Sequence, residues 1–281
     1  MLDKLKKLTY GARVLLSRSG TEEMVDVAGR KIQIQHGGSG PPFVYLHSAL
    51  GETLWLPFLE KWSKQFEVFA PAHPGFSKSE GFDRIDSIED MAFHYVELFD
   101  ALGLQQVNLG GVSLGGWIAV EFACRWPERV SHLWLADAPG LWIDNQPFFD
   151  LYRYQMDTDR IREALFYDPQ SYQATMIIKD RHGLNEETMM AIYQNSTVLA
   201  RLVWERPYDP KLAERLRRVT CPTLVLHGDS DRLVPPAYGR EYHRLIPGSM
   251  LYLFQQCGHL PMFEKEAEFV EVISRFCRQG N

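Results

Sequence analysis

Short apolar runs separated by helical stretches decide what this chain can fold into. The runs at residues 43–47, 66–70, 107–112, 130–136, 223–227 and 250–254 are rich in Val, Leu, Phe, Tyr and Trp. They are too short for buried helices and read as strands. Residues 87–102 place Met91, Tyr95, Leu98, Phe99 and Leu102 on one helical face, with Gly103 as the stop. Further helices are predicted at 114–126, ending before Pro127, and at 266–276. This alternation implies βαβ crossovers and a mostly parallel sheet covered on both faces. Two earlier runs, 24–27 and 31–35, flank Ala28-Gly29-Arg30 and predict an antiparallel hairpin at one sheet edge.

Composition narrows the function classes. With 45% hydrophobic and 23% charged residues over 281 positions, the chain has the balance of a globular protein and is excluded from disordered and collagen-like classes. A net charge of −6 argues against a nucleic-acid partner. No run approaches the roughly 18 apolar residues of a membrane span, and the N-terminus lacks a signal-peptide core, so a cytoplasmic location is expected. Cys124, Cys221, Cys257 and Cys277 lie far apart with no C-x-x-C pair, which predicts reduced thiols and neither a zinc ribbon nor a thioredoxin-like site. Residues 1–18 form a basic amphipathic pattern. It is expected to be a helix packed on the main body, with contact to an anionic membrane as the competing reading.

The alternation breaks between residues 141 and 209. This stretch has no clear strand and carries Trp142, Phe148, Phe149, Tyr152, Tyr154, Trp204 and other aromatics, together with Met156, Met176, Met189 and Met190. It reads as a helical insertion after the sixth strand. Its aromatic and Met side chains are expected both to pack the insertion down and to line an apolar pocket.

The strongest chemical signal is Gly111-Val112-Ser113-Leu114-Gly115, placed directly between an apolar strand and a helix. A serine on so tight a turn adopts a strained backbone, and side chains two residues to either side would collide, so glycine is required there. The turn lifts the hydroxyl above the sheet and aims free helix N–H groups at the same point. A serine hydroxyl needs a base at neutral pH. His259, in Cys257-Gly258-His259-Leu260-Pro261, follows the last strand, at a strand end where ligands bind in open α/β sheets. Asp229 and Asp231 follow the seventh strand and Asp137 follows the sixth; position alone leaves all three open as the acid.

These pieces together resemble the α/β-hydrolase superfamily. They are the elbow from Gly111 to Gly116, Pro127-Glu128-Arg129-Val130, the loop Gly228…Asp231…Pro235, and Gly258-His259-Leu260-Pro261-Met262-Phe263-Glu264. The likeness spans residue 24 to the C-terminus. It implies a core domain formed by 1–140 and 210–281, with 141–209 as a helical cap. It also selects Asp231 as the triad acid, because the family's aspartate stands three residues after the glycine, and leaves Asp137 as a minor alternative. By position, the oxyanion donors would be the N–H groups of Ala49 and Leu114. Two departures stand out. Ser48 replaces the family's glycine after His47, and its hydroxyl is available as an additional donor. The stretch Ala72-His73-Pro74-Gly75-Phe76-Ser77-Lys78-Ser79 lacks the usual aspartate and one glycine, which predicts altered packing with activity kept and His73 as a structural loop residue.

The expected function is hydrolysis of a small to medium carboxylic ester with an apolar acyl part, through an acyl-enzyme on Ser113, with His259 as base and Asp231 orienting it. The rival within the superfamily is carbon–carbon bond hydrolysis of a meta-cleavage dienoate. Such members tend to carry Asn before the serine and Met after it, where this chain has Val112 and Leu114. A non-catalytic ligand receptor of the same fold is the third reading. No cofactor is expected. Metal chemistry is disfavoured because the histidines form no H-x-x-x-H pair. A small molecule is the expected partner, and the oligomeric state stays open, a homodimer included.

Overall fold

The computed structural model describes residues 20–278. The basic N-terminal pattern at 1–18 lies outside the described residues.

The strands are β1 (Thr21–Val27), β2 (Arg30–Gly38), β3 (Pro42–Leu46), β4 (Glu67–Pro71), β5 (Val107–Val112), β6 (Val130–Ala136), β7 (Thr223–Gly228) and β8 (Met250–Phe254). They form one sheet in the order β1-β2-β4-β3-β5-β6-β7-β8. β2 pairs antiparallel with β1 and with β4, and all other pairs are parallel. The hairpin turn uses positive φ at Ala28 (50°) and Gly29 (79°), the geometry that matches strand twist.

The core helices are α1 (Pro57–Trp62), α2 (Ile88–Ala101) and α3 (Leu114–Arg125). The chain then runs from β6 to β7 through α4 (Thr158–Leu165), α5 (Tyr172–Ile177), α6 (Glu186–Val203) and α7 (Leu212–Arg215). It ends through α8 (Ala237–Leu245), α9 (Pro261–Glu264) and α10 (Glu266–Cys277). Ser87 caps α2 by accepting the Asp90 N–H at 3.0 Å, which satisfies one of the orphan donors of its first turn.

Phe43 and Tyr45 stand two apart on β3 and therefore share a face. Both meet Trp62 and Trp134 at ring-centroid separations of 4.8–6.2 Å, and Phe269 of α10 packs 5.6 Å from Trp62. This aromatic layer is sealed from water, and burying each ring stabilises the fold by about 1.5–3 kcal/mol. It fixes the sheet on which the loops at the carboxyl ends of β3, β5, β7 and β8 are mounted.

A single parallel bridge between Gly140 and Tyr208 joins the two ends of the helical segment between β6 and β7. That segment is tied to the core at separate points. Gln194 and Asn195 of α6 donate to Gly75 O (2.7 Å) and Leu50 O (2.8 Å). The Leu165 carbonyl at the end of α4 accepts the His259 N–H at 2.8 Å.

Candidate active site

The elbow is built as the glycine pattern requires. Ser113 has φ 54° and ψ −118°, a conformation that side chains rarely occupy. A Cβ on Gly115 would lie 2.0 Å from the Leu46 carbonyl oxygen, and one on Gly111 would lie 2.5 Å from the same atom. The first turn of α3 therefore rests directly on the end of β3, with no room for a methyl group. The Leu114 N–H sits at the helix start, where no intrahelical acceptor exists.

His259 and Asp231 meet from the ends of β8 and β7. His259 Nδ1 lies 2.7 Å from Asp231 Oδ2. Asp231 Oδ1 accepts the N–H groups of Leu233 (2.8 Å) and Val234 (3.0 Å), so the carboxylate is locked before it touches the imidazole. Asp229 is turned elsewhere and accepts the Ser230 hydroxyl at 2.7 Å. Asp137 accepts the Gly228 N–H at 2.8 Å and forms no hydrogen bond to His259. Of the three carboxylates that follow β6 and β7, the structure brings Asp231 to the imidazole.

His259 Nε2 is buried and has no hydrogen-bond partner among the described residues, Ser113 included. The imidazole–carboxylate link is thus present and the hydroxyl–imidazole link is not formed. Such bonds are often long or misaligned in sites without substrate. Ser113 is only 7% exposed, so the site is nearly closed. A cavity of about 360 Å³ lies between α6 and the 75–82 loop, lined by Gly75, Phe82, Gln194 and Val198 among others. None of its lining residues is Ser113, Asp231 or His259.

The charges around His259 are closely coupled. Burial pushes the His259 imidazole down, but the Asp231 charge and hydrogen bond, with Asp137 behind, overcome it and hold the ring above its ordinary value. Burial likewise pushes Asp231 up, and the facing His259 and His227 more than reverse it, holding the carboxyl well below the usual range. Asp137 lacks a comparable hydrogen-bonded partner, and burial raises it to about 7. Sequence reasoning missed His227. It is fully buried at the end of β7, donates to Val234 O at 2.8 Å, and lies 3.3 Å from Asp231 Oδ2. Asp137, His227 and Asp231 are the group of potential metal ligands found among the described residues. Their facing atoms are already committed to His259, to Val234 O and to backbone N–H groups. Burial pushes the Cys257 thiol far up, which leaves it unsuited to nucleophilic attack.

The loop after β3 lies beside the elbow, since Leu46 pairs with Gly111. Ala49 N–H has no acceptor among the described residues. The extra donor expected from Ser48 is not delivered. Its hydroxyl donates to Glu52 Oε2 at 2.8 Å, because that carboxylate folds back over the loop. His73 is a structural residue, as expected. Its N–H donates to His47 Nε2 at 2.9 Å, and its Nε2 donates to His47 O at 2.9 Å. Those partners require one tautomer of each ring. Burial holds both rings below their ordinary values and so neutral.

With an elbow serine, a locked imidazole–carboxylate pair and this sheet order, the molecule has the architecture of a hydrolase. The family model for the alpha/beta hydrolase fold matches residues 41–266, and the chain belongs to that family. It is 27% identical over 270 residues to a 2-hydroxy-6-oxo-2,4-heptadienoate hydrolase of Pseudomonas putida, covering 90% of this chain and 95% of that protein. The crystal structure of a membrane phospholipase A, a bacterial virulence factor, superposes with a TM-score of 0.80 at 24% identity, covering 99% of this chain and 92% of the other. A thermophilic esterase from Thermogutta terrifontis superposes with a TM-score of 0.73 at 23% identity, covering 92% and 98%. At those identities the two structures speak for the fold alone. No helix among the described residues is long and apolar enough to cross a membrane.

Proposed function

We propose that this protein is a serine hydrolase that cleaves a small to medium carboxylic ester with an apolar acyl part. The observation that carries the reading is the 2.7 Å contact between His259 Nδ1 and Asp231 Oδ2, which leaves Nε2 as the free basic nitrogen. Ser113 Oγ attacks the acyl carbonyl while His259 Nε2 takes its proton. Asp231 holds the tautomer and stabilises the imidazolium. The N–H groups of Ala49 and Leu114 receive the oxyanion, and loss of one such donor costs about 3 kcal/mol. His259 then protonates the leaving alcohol, and water attacks the acyl-enzyme with His259 again as base. The 141–209 segment acts as the cap over this site.

The ester reading is supported by the neighbours of the nucleophile and base. Val112, Leu114 and Leu260 are buried and apolar, and a dienoate would bring a carboxylate that must be desolvated beside them. Carbon–carbon bond hydrolysis is the second reading, favoured by the sequence relative from Pseudomonas putida. A kinetic comparison separates them, using p-nitrophenyl esters of increasing chain length beside a ring-fission dienoate. Preferred turnover of the esters is expected. Rapid turnover of the dienoate beside negligible ester cleavage would reverse the assignment. Absence of fluorophosphonate labelling of the wild type would favour a receptor instead.

A further inference from the structure

The loop that follows β3 is held by a closed set of hydrogen bonds centred on one acidic side chain. Glu52 Oε1 accepts the Ser48 N–H at 2.8 Å and the Tyr45 hydroxyl at 3.0 Å. Glu52 Oε2 accepts the Ser48 hydroxyl at 2.8 Å. Ser48 Oγ in turn accepts the Leu50 N–H at 3.1 Å, and Ser48 O accepts both the Gly51 N–H at 3.1 Å and His47 Nδ1–H at 2.7 Å. Along residues 48–51, every backbone N–H except that of Ala49 therefore has an acceptor among the described residues.

A loop with four backbone donors can present any of them to a developing negative charge, and an oxyanion hole works only if the chosen donor is fixed beforehand. Here three are consumed and one is left. The consuming groups trace back to Glu52, whose charge strengthens both bonds to Ser48. The loop is also pressed against the elbow, since the carbonyl oxygens of Leu46 and His47 stand 2.0 Å and 2.7 Å from where a Gly115 Cβ would be. We propose that Glu52, acting through Ser48, is the positioning residue of the oxyanion hole: it selects Ala49 N–H as the free donor and fixes its direction. Glu52 touches no reacting atom. The proposal rests on Ser113 as nucleophile and on the Ala49 and Leu114 N–H groups as oxyanion donors.

The test uses the full chain and a p-nitrophenyl ester that the wild type turns over. Fluorophosphonate labelling of the wild type and not of Ser113→Ala checks the nucleophile first. Failure there sinks the proposed function, whereas the outcomes that follow bear on Glu52. Glu52→Ala is expected to lower kcat by about 30-fold with KM changed less than about threefold, and to weaken a boronic acid that forms a tetrahedral adduct by a similar factor. Glu52→Gln keeps an acceptor for the Ser48 N–H and is expected to retain kcat within about threefold. Should Glu52→Ala not fold, Ser48→Ala carries the test, with kcat down about tenfold at unchanged KM. Unchanged kcat in the Ala variants, or a Glu52→Gln as impaired as Glu52→Ala, overturns the assignment.

Discussion

His259 and Asp231 are joined at 2.7 Å, both buried from water, and they reach each other from the ends of two adjacent parallel strands. The carboxylate is locked in advance by the Leu233 and Val234 N–H groups, so the imidazole meets a fixed acceptor.

Asp231→Asn separates these two jobs. The asparagine oxygen still accepts the two backbone N–H groups, but its amide cannot accept from His259 Nδ1–H. The ring loses its tautomer, and kcat is expected to fall by about 10⁴-fold with the fold retained. Turnover measured beside thermal unfolding checks this; a variant with more than a tenth of wild-type kcat would remove Asp231 from the triad.

The pH profile follows from the same pair. As the proposed base, His259 must be neutral to accept a proton, and its folded pKa lies above the ordinary value. Activity is therefore lost as pH falls through a midpoint above about 6.5. After Asp231, the Asp137 carboxylate, which itself titrates at about 7, adds to the charge that holds the proton on His259 wherever it is ionised. Asp137→Asn is expected to move the acid limb of kcat/KM to lower pH, by roughly half a unit. Profiles from pH 5 to 9 on both proteins decide it, and a limb that moved upward would contradict the charge assignment.

Strain and close packing at the elbow predict opposite effects for two glycine changes. Gly115→Ala drives a methyl group against Leu46 O, 2.0 Å away, and is expected to destabilise the fold by about 3 kcal/mol or more. Ser113→Gly relieves a positive φ of 54° and is expected to stabilise it by about 1 kcal/mol while abolishing turnover. Denaturant unfolding reads both, and wild-type stability in Gly115→Ala would show that β3 and α3 can move apart.

His94 is a stability liability unrelated to the chemistry. It is 2% exposed, neither ring nitrogen has a hydrogen-bond partner among the described residues, and burial, aided by Arg30, lowers its pKa to about 3. The folded state keeps it neutral, while the unfolded chain protonates it below about pH 6.5. Its contribution is thus intact above pH 6.5. It is lost as pH falls toward 3, by up to about 1.4 kcal/mol per unit. His94→Leu should raise Tm at pH 7.5 and flatten the fall in Tm between pH 7.5 and 5. An equal fall in both proteins would show that other groups govern acid unfolding.

Local patterning makes much of the fold legible in the sequence. β5, β6 and β8 begin and end at the residues their apolar runs predict, since hydrophobicity and turn residues are local properties. β2 extends past residue 35 to Gly38 because His36 and Gly37 pair with Phe69 and Val68, partners far away in sequence. α1 was not legible: six residues opening on Pro57 give too little periodicity, and the helix exists because Phe58, Leu59 and Trp62 are buried in the core. Glu52 carries no signal in the sequence, since nothing local shows that it folds back onto Ser48 and Tyr45.

The amino-acid sequence by itself determined the parallel sheet, the strand-to-helix serine turn and the three loops that hold Ser113, Asp231 and His259, because spacing, glycines and short-range hydrophobic order are written along the chain. Position along the chain left three carboxylates open and the family resemblance selected Asp231, but only the tertiary structure decided that His227 and Asp137 stand behind it and that Glu52 consumes the donors around Ala49. Those outcomes depend on burial and on hydrogen bonds between segments that meet only when the sheet has formed.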